Sequence, residues 1–277
     1  MHLLTSIIVI LAISAFSTVA FSAEKKVLLI SDIDDTIKAS HVLNSKAVVS
    51  RFANLTIRFS GMAQLYQLIQ NQNPQKTRLV YLSNAPVEVS IFHQSFLSQN
   101  NFPPGKVLLR ESIFDENHKI NAIKKLVIQE KPDVVIMIGD NGERDVEIYH
   151  EAQRFFQKSS IQMVSFIHQV YTTKIGFFGD LLGIAERGKK LLNGQIGFVT
   201  PVEISLELNR LGLLSQQSAD WMIQNVGTYI SEESIFDWDT IGNITFPSYK
   251  TCDDFVWKWQ ITKELSPLID KINSACR

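Results

Sequence analysis

The chain has 277 residues, a formal net charge of −1 and 45% hydrophobic residues. The near-neutral balance, without a basic stripe, argues against a nucleic-acid partner. The apolar content suffices for a sizeable core, and the length suits one to two domains.

Residues 1–22, "MHLLTSIIVILAISAFSTVAFS", contain no Asp, Glu, Lys or Arg. An apolar run ending in small residues is expected to be a secretory signal peptide, with Ala20 and Ser22 at the positions a signal peptidase reads. An uncleaved anchor is the alternative. Either way the protein is expected to be exported, to the periplasm or beyond the cell. No other segment reaches the ~20 apolar residues of a membrane span.

From 24 to 171 short apolar runs alternate with longer mixed segments. "VLLI" (27–30), "RLVYLS" (78–83), "KVLLR" (106–110), "DVVIMIGD" (133–140) and "IQMVSFI" (161–167) predict strands. They are nearly continuous apolar runs, as in strands covered on both faces. Helices are predicted over 61–70, 86–99, 118–129 and 144–157. This alternation predicts an α/β domain with a parallel, Rossmann-like sheet and ligands at the carboxyl ends of its strands.

After Tyr171 the rhythm changes, and 172–277 is expected to be a mainly helical C-terminal extension. A helix is expected over 178–192. "TPVE" at 200–203 reads as a capping box, with Thr200 at N-cap, Pro201 at N1 and Glu203 at N3. Ser215 is expected to cap a further helix reaching Trp221. Cys252 and Cys276 are the two cysteines. In an exported protein they suit a disulfide, and two free thiols are the other reading.

The first strand runs into Asp32, Asp34 and Asp35. Positions i and i+2 of an extended chain point the same way. Neighbouring carboxylates in a cleft are costly unless a cation or proton accompanies them. The strand ending at 140 brings Asp140 to the same edge, and Asp145 follows five residues later. Such an oxygen-ligand cluster suits Mg²⁺ and phosphoryl chemistry, with an aspartate attacking phosphorus. Ser83 and Asn84 end the second strand, and Lys119 opens a helix. Both strand-end groups and the lysine are candidates to bind phosphate, as is Arg110 at the end of the third strand. Asp35 is expected to be a turn residue or an outer acceptor rather than a ligand.

At these residues the chain resembles the haloacid dehalogenase-like phosphohydrolases. "DIDDT" (32–36), "VYLSN" (80–84), Lys119 and "GDNGERD" (139–145) match their four motifs in order. "SDIDDTIKAS", "GMAQLY", "LSNAP", "FPPGKVLLR" and "IGDNGERDVEIY" further resemble the catalytic domain of the App1-type phosphatidate phosphatases, over about 31–170. The resemblance implies catalytic roles for Asp32, Asp34, Ser83 and Lys119. Asp32 is then the nucleophile that becomes an aspartyl-phosphate. Asp34 protonates the leaving alkoxide and later deprotonates water. Substrate contacts fall to Ser83, Asn84, Lys119 and Arg110. The Mg²⁺ site falls to Asp32, Asp140, Asp34 through its main-chain carbonyl, and Asp145 in the metal shell or against Lys119.

Neither the segment after Ile37 nor 83–119 is long enough for a large cap domain. An open cleft is expected, suited to a large or membrane-resident substrate. The leading expectation is therefore a Mg²⁺-dependent phosphomonoesterase acting on phosphatidate or a related lipid phosphate, with peripheral membrane contact. The alternatives are a secreted phosphatase for soluble phosphate esters and a non-catalytic lipid- or host-binding protein on the same fold.

Overall fold

The computed structural model describes residues 25–43, 55–112, 114–173, 187–232, 243–244, 252 and 254–276. The leader expected over 1–22 lies outside the described residues. Five strands fall where apolar runs were read: β1 (Val27–Ser31), β3 (Thr77–Pro86), β4 (Lys106–Arg110), β5 (Val134–Asp140) and β6 (Gln162–His168). A short strand, β2 (Arg58–Phe59), precedes helix α1 (Met62–Gln72). Helices α2 (Ser90–Gln99), α3 (His118–Glu130) and α4 (Asp145–Phe156) complete the crossovers. A 3₁₀ turn, Val87–Val89, leads into α2.

The C-terminal region adds β7 (Gln195–Phe198), α5 (Pro201–Arg210), α6 (Gln216–Trp221), α7 (Thr228–Glu232), β8 (Asn243–Ile244) and α8 (Ser266–Ala275). A π-helical stretch, Met222–Gly227, joins α6 to α7. The main sheet has the order β4-β3-β1-β5-β6-β7, and every pairing in it is parallel. β2 and β8 form a separate two-stranded pair.

Side chains alternate across the sheet. In β1 this sends Leu29 to one face and Leu28 and Ile30 to the other, and all three are fully buried. The first face is covered by α1, α2, α5 and α8, through Tyr66, Phe96, Leu208 and Leu268 among others. The second is covered by α3 and α4, through Ile123, Val127, Val146 and Tyr149. Burial on both faces is why these strands are continuously apolar.

Two features differ from the sequence reading. The sheet does not stop near Tyr171: β7 pairs with β6 from Ser165↔Gln195 to His168↔Phe198. The C-terminal extension thus supplies a sixth strand as well as helices. The helix expected over 178–192 is absent from 187–192, and 174–186 lie outside the described residues. The capping box forms as read: the Thr200 side chain accepts from the Val202 N–H, and Glu203 reaches back to the Thr200 N–H. Ser215 caps α6. Cys252 and Cys276 are disulfide-bonded, with their Cα atoms 4.3 Å apart, which ties the end of α8 back to the chain that precedes it.

Candidate active site

The site lies at the carboxyl edge of the sheet, where the ends of β1, β3, β4 and β5 converge. Asp32 follows β1 directly, and its N–H continues the ladder by donating to the Ile138 carbonyl (2.8 Å). Asp140 is the last residue of β5 and Asp145 the first of α4. Lys119 is the second residue of α3. All four side chains are buried.

The Lys119 Nζ donates to Asp32 Oδ1 and to Asp145 Oδ1, both at 2.6 Å. The Thr36 hydroxyl donates to the other oxygen of Asp32 (3.0 Å). Asp140 Oδ1 accepts from the Gly142 N–H (2.6 Å), as a carboxylate caps a turn. One oxygen from each of Asp32, Asp140 and Asp145 lies within 4.8 Å of the others.

The charges do not balance. One ammonium faces three buried carboxylates. Burial works against the Lys119 charge, but Asp145 and Asp32 outweigh it and hold the amine protonated. Burial pushes the Asp32 carboxyl well above the usual range despite Lys119, and Asp145 and Asp34 push the same way. Burial, then Asp145 and Asp32, raise Asp140 likewise. Asp145 Oδ2 is buried and has no hydrogen-bond partner among the described residues. An orphaned buried carboxylate oxygen within a surplus of negative charge fits a cation with hard oxygen ligands. The three aspartates therefore fit a divalent metal.

Asp34 stands apart among the four acidic residues read as metal ligands. Its side chain is outside this cluster and faces the cleft, with Oδ1 accepting from the Ser40 hydroxyl (2.5 Å). Its Oδ2 lies 3.4 Å from Ser83 Oγ and 3.9 Å from His93 Nε2. Ser83 is buried in β3, where the pairing with β4 shifts register between Leu82 and Pro86. Its hydroxyl also accepts from the Ala85 N–H (3.0 Å). Asn84 donates to Glu143 across the cleft (3.4 Å). Arg110 lines the same 740 Å³ cleft, and its buried Nε has no hydrogen-bond partner among the described residues.

Asp35 is buried outside the metal cluster, with φ at +60°. It accepts from the His41 and Val42 N–H groups (both 2.7 Å) and from the Tyr171 hydroxyl (2.6 Å). That fits the turn-and-acceptor reading of this residue. Ser40, His93 and Tyr171 were not read from the sequence. No spacing rule points to them, because each reaches the site through the folding of a loop or a helix crossing.

The sequence model for the phosphatidate phosphatase APP1 catalytic domain matches residues 27–168, just over half of the chain. Phosphatidate phosphatase APP1 of Saccharomyces cerevisiae is 29% identical over 136 residues, which are 44% of this chain and 22% of that protein. An uncharacterized protein of Schizosaccharomyces pombe is 27% identical over 148 residues, 46% of this chain and 23% of that one. The chain thus matches less than a quarter of the length of these curated relatives. Among solved structures, a class C acid phosphatase from Bacillus anthracis with tungstate bound is 15% identical, with a TM-score of 0.36 over 51% of this chain and 66% of that chain. The extent of the family match, which spans every acidic strand end described above, shows that this chain belongs to the APP1 phosphatidate phosphatase catalytic-domain family, within the haloacid dehalogenase-like phosphohydrolases.

Proposed function

We propose that the chain is a Mg²⁺-dependent phosphomonoesterase that works through an aspartyl-phosphate on Asp32, with phosphatidate or a related lipid phosphate as substrate. The observation that carries the chemistry is the Lys119 ammonium bridging Asp32 and Asp145 beside a third buried carboxylate, Asp140.

Thr36 and Lys119 hold the Asp32 carboxylate in one orientation at the cleft floor. Its attack forms an Asp32–O–P bond while the bond from phosphorus to the leaving oxygen breaks. Asp34 gives its proton to that leaving oxygen. Asp34 then takes a proton from the water that attacks the same phosphorus. The Asp32–O–P bond breaks, which restores the carboxylate and frees inorganic phosphate. Ser83 and Lys119 donate to the phosphate oxygens, and Asn84 and Arg110 meet the substrate further out. Asp32, Asp140 and Asp145, with the Asp34 main-chain carbonyl, would hold the metal, which neutralises phosphate charge when bound.

The lipid reading is supported by the name of the yeast relative and by the cleft's apolar margin. Pro86 pairs with Arg110 across β3 and β4. Just beyond these residues Val87 is 45%, Ile91 66% and Phe114 86% exposed. A bilayer surface is the partner proposed for this margin. Export to an oxidising compartment is proposed with it, supported by the Cys252–Cys276 bridge. One observation favours soluble phosphate esters instead. Glu88, Glu111, Asp115 and Glu116 are exposed on the same margin and would repel an anionic bilayer.

The test is phosphate release from phosphatidate vesicles and from soluble esters, with and without chelator. Asp32→Asn is expected to lower turnover by at least about 10³-fold. Retained activity removes the nucleophile assignment. A clear preference for soluble esters removes the lipid substrate. Vesicle binding without turnover of any ester supports the non-catalytic alternative.

A further inference from the structure

We propose that Ser40 is a positioning residue for Asp34, and that its hydroxyl holds the carboxyl group in one orientation beside the cleft. The inference rests on the proposed role of Asp34 as the acid.

The segment from Asp32 to Ser40 folds back on itself. The Ile37 and Lys38 N–H groups donate to the Ile33 carbonyl (3.0 and 2.9 Å). The Asp35 N–H, from a residue in the left-handed region, donates to the Lys38 carbonyl (2.7 Å), and the Ser40 N–H donates to the same oxygen (2.9 Å). Asp34 and Lys38 form an isolated parallel bridge. This reversal returns Ser40 to the side of Asp34, six residues after it. Ser40 is 4% exposed and lines the cleft.

The Ser40 hydroxyl donates to Asp34 Oδ1 at 2.5 Å, the shortest polar contact the structure gives to this carboxyl. The contact has a mechanical consequence. A hydrogen bond this short to one carboxyl oxygen limits rotation of the group. Oδ2 is more loosely engaged, with Ser83 Oγ at 3.4 Å and His93 Nε2 at 3.9 Å. The Asp34 side chain is 19% exposed, toward the cleft that Asp32 floors. Ser40 therefore holds the Asp34 rotamer. The hydroxyl can donate to the carboxylate as well as partner the protonated acid, so the orientation is kept through both steps.

General acid assistance matters most when the leaving oxygen is strongly basic. The test uses two soluble esters of opposite demand. Dihexanoyl phosphatidate releases an alkoxide, and p-nitrophenyl phosphate releases a weakly basic phenolate. The quantity compared is kcat/KM, which reports the first transfer to Asp32 rather than later hydrolysis. Ser40→Ala is expected to lower kcat/KM on dihexanoyl phosphatidate by about 10-fold or more and on p-nitrophenyl phosphate by less than about 3-fold. Ser40→Thr, which keeps the hydroxyl, is expected to restore the difference. Turnover of p-nitrophenyl phosphate serves as the folding control. Should Ser40→Ala fail to fold, Ser40→Cys, similar in size and a weak donor, is expected to show the same ordering.

Asp34→Asn separates the two levels of the argument. Equal losses on both esters in that variant remove Asp34 as the acid, and the inference falls with it. So does a wild type that releases phosphate from neither ester. A loss selective for dihexanoyl phosphatidate in Asp34→Asn but equal on both esters in Ser40→Ala, or absent, overturns the positioning role of Ser40 alone.

Discussion

Two buried acidic sites in this molecule differ in how fully they are partnered. Glu203, at the start of α5, is completely buried, as is Asp145 at the start of α4. Glu203 Oε1 accepts from the Val199 and Thr200 N–H groups (3.3 and 3.1 Å), and Oε2 accepts from the Thr200 hydroxyl. Neither oxygen is left over. At the catalytic edge, one ammonium serves Asp32 and Asp145 with Asp140 clustered beside them, and Asp145 Oδ2 has no partner among the described residues. Burial is equal in the two places, so burial alone does not mark function. A partnerless oxygen inside a surplus of buried negative charge does, because that combination fits a cation.

The largest effect on stability is expected where the single compensating charge is removed. Lys119→Met keeps much of the side chain's volume but strips Asp32 and Asp145 of their ammonium. Breaking a buried pair from one side costs about 3–5 kcal/mol. Thermal unfolding in chelator is expected to show that loss, and added Mg²⁺ is expected to recover more stability in the variant than in wild type. Phosphate release should fall by about 10²–10³-fold through the lost phosphate donor. A variant as stable as wild type in chelator would contradict the charge imbalance described here.

A milder change disturbs geometry without removing a charge. A Cβ at Gly139 would meet Asp145 directly, with its Cβ only 2.8 Å away. Glycine at this position lets the first residue of α4 tuck beneath the end of β5. Gly139→Ala is expected to cost about 1–3 kcal/mol through overpacking. Because it displaces one of the three clustered carboxylates, it should also lower kcat by about 10²-fold. Unchanged kcat with the stability loss present would mean that Asp145 tolerates displacement and that its place in the cluster is incidental.

The catalytic edge was far more legible in the sequence than the C-terminal region, for physical reasons. A strand covered on both faces has to be apolar along its length, so β1 and β5 announce themselves, and the polar residues that interrupt them mark their ends. Asp32, Ser83 and Asp140 could be placed at one sheet edge on that basis. Thr200 and Glu203 were readable because a capping box is local in sequence. β7 was not readable: "QIGF" is four residues with a glycine inside, too short to show a period. The pairing of Arg58–Phe59 with Asn243–Ile244 is shorter still and joins distant segments. The Ser40–Asp34 contact depends on Asp35 adopting a left-handed conformation, which no apolar pattern encodes. The Asp34 side chain was expected to point the same way as that of Asp32, because the two share the i, i+2 spacing of an extended chain. The loop bends immediately after the strand, and the extended-chain rule no longer applies there. The cysteine bridge was open because it requires proximity created by α8.

The smallest functional effect is expected at Glu203, which is partnered and remote from the reaction. Burial pushes its carboxyl up from the ordinary 4.5 to about 7, partly offset by its hydrogen bond with the Thr200 side chain. The folded protein therefore binds a proton that the unfolded chain has released across this interval. Its stability contribution is greatest below about pH 4.5 and falls as pH rises toward 7, with the loss complete above that. Glu203→Gln keeps an acceptor for the α5 cap and removes the titration. Across this window the wild type is expected to lose up to about 3 kcal/mol relative to the variant. Denaturant unfolding of both proteins from pH 4.5 to 8 measures the gap, and phosphate release by the variant should match wild type. Parallel stability curves would show that Glu203 is ionised in the fold at little cost. Its three hydrogen bonds would then suffice to keep a buried carboxylate charged, and the contrast with the orphaned oxygen of Asp145 would become sharper.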